Sequence, residues 1–149
     1  MASQPTEMKP LRPLVLDANI LLRAVFGVRA RVVIETYSDC TLFFIPDVCV
    51  EDARKYIPDI SRRRGLDLDV GLAMLDRIVG FIEIVDNGIY EQFREQALER
   101  ISTRDPDDWP VVATALLLGA PIWTEDKDFF GSGIATWTND RIETYLHDA

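Results

Sequence analysis

The run Pro13 to Leu16 (PLVL) constrains this chain more than any other. It is short, wholly apolar, and stops at an ionisable residue, Asp17. A strand with no polar face must be covered on both sides, which is the condition of a parallel sheet held between two layers of helix. The next segments fit that condition. Ala18 to Phe26 (ANILLRAVF) reads as a helix closed by Gly27, and Arg29 to Tyr37 as a second helical piece.

The alternation then repeats. Thr41 to Ile45 (TLFFI) is a strand ended by Pro46, with Asp47 placed to cap the next helix. That helix carries Glu51, Asp52, Arg54 and Lys55 and is expected to stop near Pro58, leaving Ile60 to Gly65 as a basic loop. Leu66 to Phe81 reads as an amphipathic helix, Ile82 to Val85 as a short strand, and Ile89 to Ile101 as a further amphipathic helix. Asp105-Pro106 marks a helix start, and Gly119 suits its end. Ile122 to Thr124 is a strand, Gly133 to Trp137 an edge strand, and a last helix begins near Asn139. Strands alternating with helices predict an α/β fold, a three-layer α/β/α sandwich with a mainly parallel, roughly five-stranded sheet. Residues 1–12 read as a flexible lead and 13–149 as one domain.

Composition narrows the class. Hydrophobic residues make up 48%, enough for a folded core. No apolar run approaches the roughly 20 residues that span a membrane, and the N-terminus lacks an apolar signal segment. Two cysteines, Cys40 and Cys49, suggest buried free thiols in a reducing cytoplasm. Residues 1–75 hold ten basic and ten acidic side chains, whereas residues 76–149 hold six and fifteen, so the net −9 lies in the second half. An acidic domain is a poor sequence-independent binder of nucleic acid. That charge either serves solubility or includes a metal site, because a bound cation inverts the local balance.

Topology favours the metal site. All strands of an open parallel sheet end at one edge, where ligands bind. Asp17 and Asp126 each follow a strand, Glu51 lies in the first turns of a helix that follows one, and Asp105, Asp107 and Asp108 begin a helix that precedes one. All are thereby brought to one edge. Carboxylates crowded there stay ionised together only beside cations, and hard oxygen donors select Mg²⁺ or Mn²⁺. Two such ions ~4 Å apart could activate a water against a phosphodiester.

Each signal has a plainer reading. Asp105, Asp107 and Asp108 could simply serve a helix N-terminus, worth about 0.3–1 kcal/mol each. Asp126 and Asp128 could form a turn with Lys127, and Glu51 could lie on a solvated face. Arg62, Arg63 and Arg64 could be a solvated loop or an arm that contacts phosphates, supplemented by Arg23, Arg29 and Arg31. Trp109, Trp123 and Trp137 suit a core better than a stacking platform. His147, the sole histidine, lies too near the C-terminus for a histidine-based triad, and no nucleophile elbow or phosphate-binding loop is present.

Together these residues resemble a PIN domain over about Leu14 to Trp137. VLDANILL resembles the family's opening strand, with Asp17 and Asn19; IPDVCVEDA resembles its second motif, with the acidic position on Glu51 and not Asp52. DPDDWPVVATALLLGA resembles the third, which places its aspartate on Asp108, and WTEDKDF the fourth, on Thr124, Asp126 and Asp128. The resemblance implies an endoribonuclease using one or two Mg²⁺ or Mn²⁺ ions, with a metal-activated water leaving 5′-phosphate and 3′-hydroxyl ends. It implies Asp17, Glu51, Asp108 and Asp126 as the catalytic, metal-holding set, with Asp128 as a further ligand. Asn19, Asp105 and Thr124 are expected to orient them, and Arg23, Arg62, Arg63 and Arg64 are the candidate RNA contacts. Many stand-alone members of this size are VapC-type toxins that dimerise and are held by an antitoxin, so RNA, a cognate antitoxin and a second copy are the expected partners. A catalytically inactive PIN-like scaffold is the main competing reading. A haloacid-dehalogenase-like phosphatase needs a second aspartate where Asn19 stands, and a receiver domain needs an acidic pair before the first strand, where only PLVL is found.

Overall fold

The computed structural model describes residues 11–101 and 103–147. Most of the expected N-terminal lead lies outside them, although Arg12 already belongs to the first strand, β1 (Arg12–Leu16). The remaining strands are β2 (Thr41–Pro46), β3 (Ile82–Val85), β4 (Ile122–Trp123) and β5 (Thr136–Trp137). They form one sheet in the order β3-β2-β1-β4-β5, every pair parallel. Leu14, Val15 and Leu16 are fully buried, as the apolar run required.

The chain builds outward from β1 in one direction through β2 and β3, then crosses back to add β4 and β5 on the other side. The C-terminal ends of β1 and β4, paired through Leu16 and Trp123, therefore flank the topological switch point, where an open parallel sheet offers a crevice.

Helices cover both faces, giving the three-layer sandwich. On one side α1 (Ala18–Phe26) packs with α2 (Arg29–Thr36), α3 (Asp47–Arg63) and α4 (Leu68–Val79). On the other, α7 (Trp109–Leu118) lies on β1, β2 and β4 and packs with α5 (Asn87–Tyr90) and α6 (Arg94–Ile101). A short α8 (Ile142–His147) closes the described chain. Gly119 ends α7 with φ +61°, the left-handed geometry expected of a glycine there.

Two local expectations change. Pro58 does not end α3, which runs on to Arg63. Pro58 is exposed, while Ile57 and Ser61 are buried against neighbouring helices, so packing on α1 and α4 outweighs the loss of one helical hydrogen bond. Gly71 permits that packing, since a Cβ there would meet Ile57 Cγ2 and Ser61 Oγ at 3.0 Å. Asp47 is not the cap of α3 but its first residue, with Pro46 at the cap position. Its carboxylate accepts from the Tyr90 hydroxyl at 2.8 Å and the Asn87 N–H at 2.9 Å, tying the start of α3 to α5. That anchor, and Asp86 capping α5, start the helix expected over 89–101 two residues early, and a 3₁₀ turn at Glu91–Phe93 divides it.

The tryptophans are structural. Trp123 is fully buried, with its indole N–H donating to Asn139 Oδ1 at 2.7 Å. Trp109 packs edge-on against Tyr90, and Trp137 stacks on Tyr145. Cys49 is buried and Cys40 only partly so; both are free.

Candidate functional site

Asp17 follows β1 and begins α1, so one residue serves strand, helix and crevice. Its Oδ1 accepts the Ile20 N–H at 2.9 Å, an N-cap bond. Its Oδ2 accepts from the Thr124 hydroxyl at 2.5 Å. Thr124, fully buried just past β4, in turn accepts the Asp126 N–H at 2.9 Å. The two strand ends at the switch point are thus wired together through one threonine. Asp126 Oδ1 accepts the Asp128 N–H at 2.9 Å, which fixes the turn carrying Asp128.

The acidic helix start resolves into two roles. Asp105 Oδ1 accepts the Asp107 N–H at 3.0 Å and caps the 3₁₀ turn Pro106–Asp108. Asp108 occupies the cap position of α7 yet makes no capping bond. A cap side chain takes the N–H of the second or third helical residue; the second here, Pro110, has none, and Asp108 leaves the third, Val111, untaken. Asp108 Oδ2 is buried without any hydrogen-bond partner among the described residues. One oxygen each of Asp105, Asp108 and Asp128 come within 4.8 Å of one another.

These carboxylates feel one another. Burial pushes the Asp17 carboxyl up to about 6, helped by Asp126 and opposed by its hydrogen bonds from Thr124 and Ile20 and by the Arg23 charge. Burial pushes Asp108 up to about 7, reinforced by the charges of Asp126, Asp105, Asp17 and Asp128. Two carboxylates held that far up mark negative charge that the protein's own groups leave uncompensated. The donor set is all carboxylate oxygen, with one buried oxygen unsatisfied. It fits a hard divalent cation.

The cleft is a cavity of about 360 Å³ lined by six aspartates, Asp17, Asp52, Asp105, Asp107, Asp108 and Asp126, and, among the described residues, by no basic one. Asn19 lines it too, from an exposed position on α1. Glu51 does not. It is exposed and stands outside the lining, and the acidic side chain that α3 presents to the cleft is Asp52. Helical geometry decides this. Val48 and Cys49 line the cleft, and Asp52 and Tyr56 recur behind them at spacings of three and four residues, while Glu51 falls on the outer face. The period was readable in the sequence, but the inward face could be fixed only once the packing of α3 was known. Asp107 also reaches the rim, as the topology brought it to that edge. Glu125 instead accepts the Asn139 N–H at 2.5 Å.

The arginines separate. Arg62 and Arg63 stand on the last turn of α3, not in a loop, and both pair with Asp59, Arg63 at 3.3 Å. Arg23 and Arg64 line a second cavity that adjoins the acidic one, joined there by Arg29. Arg31 instead reaches back to the Ala24 carbonyl at 3.5 Å.

Comparison with known proteins points the same way. A family model described as the PIN domain matches residues 15–147. Among solved structures, PAE2754 from Pyrobaculum aerophilum superposes with a TM-score of 0.68 at 15% identity, covering 93% of this chain and 91% of that one. VapBC2 from Rickettsia felis, bound to a DNA fragment from its promoter, gives 0.63 at 15% identity over 85% of this chain and 98% of the other. A toxin-antitoxin complex from Klebsiella pneumoniae gives 0.59 at 16% identity, with 85% and 97% covered. No curated protein sequence matches. Among the described residues, no helix is long and apolar enough to cross a membrane.

Proposed function

This chain belongs to the PIN domain family, in which nucleases using divalent metals are typical, and on that premise we propose that it is a metal-dependent endoribonuclease. The observation that carries the proposal is Asp108. It sits where a helix cap belongs, forgoes the cap, and keeps a buried carboxylate oxygen unpartnered beside Asp105 and Asp128. A structural aspartate would have spent that oxygen on the helix.

In this reading Asp105, Asp108 and Asp128 would hold one Mg²⁺ or Mn²⁺ ion, and Asp17, Asp52 and Asp126, which line the cleft, would be the candidate ligands for a second. A bound ion supplies positive charge to the phosphodiester oxygens and acidifies water. The chain's own residues do the rest. Thr124 fixes Asp17 Oδ2 and the Asp126 backbone in one hydrogen-bonded unit, which ties the two strand ends together. The Ile20 N–H holds the other Asp17 oxygen. Asn19, at the rim, is placed to orient the substrate. Asp17 and Asp108, pushed up by burial in the metal-free protein, are the carboxylates with most to gain from a cation beside them.

The toxin-antitoxin complexes among similar structures support a further part of the proposal, that the chain is the toxin of such a pair and is held by a cognate antitoxin; the proposal also has it work in the cytoplasm as a homodimer. The test is incubation of the pure protein with RNA and Mg²⁺ or Mn²⁺, beside EDTA and Asp17→Asn controls. Cleavage in metal, lost in both controls, supports the reading. Cleavage that persists in Asp17→Asn sinks it, and absence of both cleavage and calorimetric metal binding favours the inactive scaffold.

A further inference from the structure

The second cavity, about 620 Å³, opens beside the acidic cleft and shares Asn19 and Leu22 with it. Its charged lining is Arg23, Arg29 and Arg64, with no carboxylate among the described lining residues. In a chain of net charge −9, three guanidinium groups around one hollow need an explanation. Among the described residues neither Arg23 nor Arg64 forms an ion pair, unlike Arg62 and Arg63 on Asp59. Arg64 lies with its guanidinium carbon 5.5 Å from the centre of the Phe26 ring, so a flat, charged surface is already formed. Arg29 is held ready by donating Nε and Nη2 to the Asn139 carbonyl at 3.2 and 2.8 Å, and Asn139 is itself pinned by Trp123 and Glu125. The first turn of α2 opens at the same place without a side-chain cap from Val28, which adds the positive end of a helix.

We propose that this arginine cavity binds a backbone phosphate of single-stranded RNA next to the phosphate held in the acidic cleft, with the attached base lying against Arg64 and Phe26. The identity of the chain that enters rests on the nuclease reading above; the site itself stands on the arginines. The physical need is plain. Six aspartates repel a polyanion, and an ion in the cleft offsets them at one phosphate only. The adjoining phosphate then requires cations of its own, and Arg23 and Arg29 on α1 and α2 with Arg64 past the end of α3 supply them. Guanidinium and aromatic planes accept any base by stacking, so the cavity gives affinity and direction along the chain more than sequence. Arg23 stands one turn beyond Asn19 on α1, so a strand leaving the acidic cleft meets it first.

The test separates the two sites by removing metal. A fluorescein-labelled 12-nucleotide single-stranded RNA is titrated with the whole protein in EDTA by polarisation, across a range of salt. Compared are wild type, Arg23→Ala/Arg64→Ala, Arg64→Lys, and Arg54→Ala/Lys55→Ala, which removes equal charge from exposed positions on α3. The expected result is an affinity at least tenfold weaker in Arg23→Ala/Arg64→Ala, with the log–log salt slope smaller by ~0.7, the value for the one phosphate released. Arg64→Lys should keep the slope, and the α3 control should change affinity less than twofold. Equal weakening in the α3 control, an unchanged Arg23→Ala/Arg64→Ala protein, or no RNA binding by wild type each overturns the proposal. So does arginine-dependent binding of polyglutamate without RNA binding, which would assign the cavity to an acidic protein segment. If RNA binds through the arginines but is never cut in Mn²⁺, the cavity stands and the nuclease reading falls. If wild type cuts RNA and the arginine variant keeps its KM, the nuclease reading stands and the cavity proposal falls.

Discussion

Two adjoining hollows of this molecule have opposite characters. Among the described residues, the cleft at the switch point carries six aspartates and no cation; its neighbour carries three arginines and no carboxylate. They meet along α1, whose Asn19, Leu22, Arg23 and Phe26 form one stripe. The acidic side is anchored in the sheet. Asp17 and Thr124 are buried and hydrogen-bonded, and they hang on the ends of the two strands at the switch point. The basic side is made of long side chains at segment ends, of which Arg29 is tied to the backbone by two hydrogen bonds. The difference teaches a division of labour. Under the proposed function, the carboxylates lie at the sheet edge and the helix start and turn beside it, where a fixed ion would sit, and the groups that would follow a flexible polyanion are left on long side chains.

The largest expected effect bears on the acidic side. Asp108→Asn and Asp17→Asn should each lower metal-dependent RNA cleavage by about 10²–10³-fold, the scale of losing one preorganised electrostatic contact. The same substitutions should raise the thermal midpoint of the metal-free protein, because each removes a buried, uncompensated charge. A parallel loss of stability and activity would mean that these aspartates are structural and would erase the contrast.

Thr124→Val comes next. It leaves the Asp126 N–H without its acceptor and Asp17 Oδ2 without its donor, at a cost of about 1–3 kcal/mol by urea denaturation. Gly71→Ala tests the helical layer beneath the basic cavity. Its new methyl would crowd Ile57 and Ser61, costing about 1–2 kcal/mol, while metal binding in the acidic cleft, read by calorimetry, should stay as in wild type. Coupled loss of metal binding would show that the two hollows are not independent.

Asp52→Ala should reduce cleavage about tenfold, in the range of lost metal-supporting contacts, and Glu51→Ala less than about twofold. The reverse order in the cleavage assay would mean that α3 turns its other face inward when substrate arrives.

The smallest effect is a pH dependence. Asp17 titrates near 6 and Asp108 near 7 in the folded, metal-free protein, both above the ordinary aspartate value. Between about pH 4 and 7 the native state therefore binds more protons than the unfolded chain, and stability falls as pH rises. The thermal midpoint in EDTA should drop by a few degrees across that window relative to an Asp17→Asn/Asp108→Asn protein. Added Mn²⁺ should oppose the drop. A flat difference between the two proteins would remove the electrostatic basis of the contrast.

Much of the acidic side was legible in the sequence. Asp17 and Asp126 follow strands, and Asp108 starts a helix that leads into one, so a parallel sheet delivers them to one edge whatever the details of packing. That Asp52 and not Glu51 lines the cleft was not legible, because it depends on which face of α3 turns inward, and neighbours in sequence lie about 100° apart on a helix. The basic cavity was less legible. Arg23 was named as a candidate contact, but the run Arg62–Arg64 gave no reason to divide it.

The sequence by itself determined the layered parallel sheet, through a strand with no polar face, and the edge at which carboxylates gather, because strand direction fixes which ends meet. Tertiary structure alone decided which carboxylates and which arginines face each other. Packing carried α3 through Pro58, which put Arg64 beside Phe26 and left Arg62 and Arg63 on Asp59. Local propensity argued for a stop at that proline. The burial of Ile57 and Ser61 against helices distant in sequence outweighed it, and no reading of the segment alone includes that term.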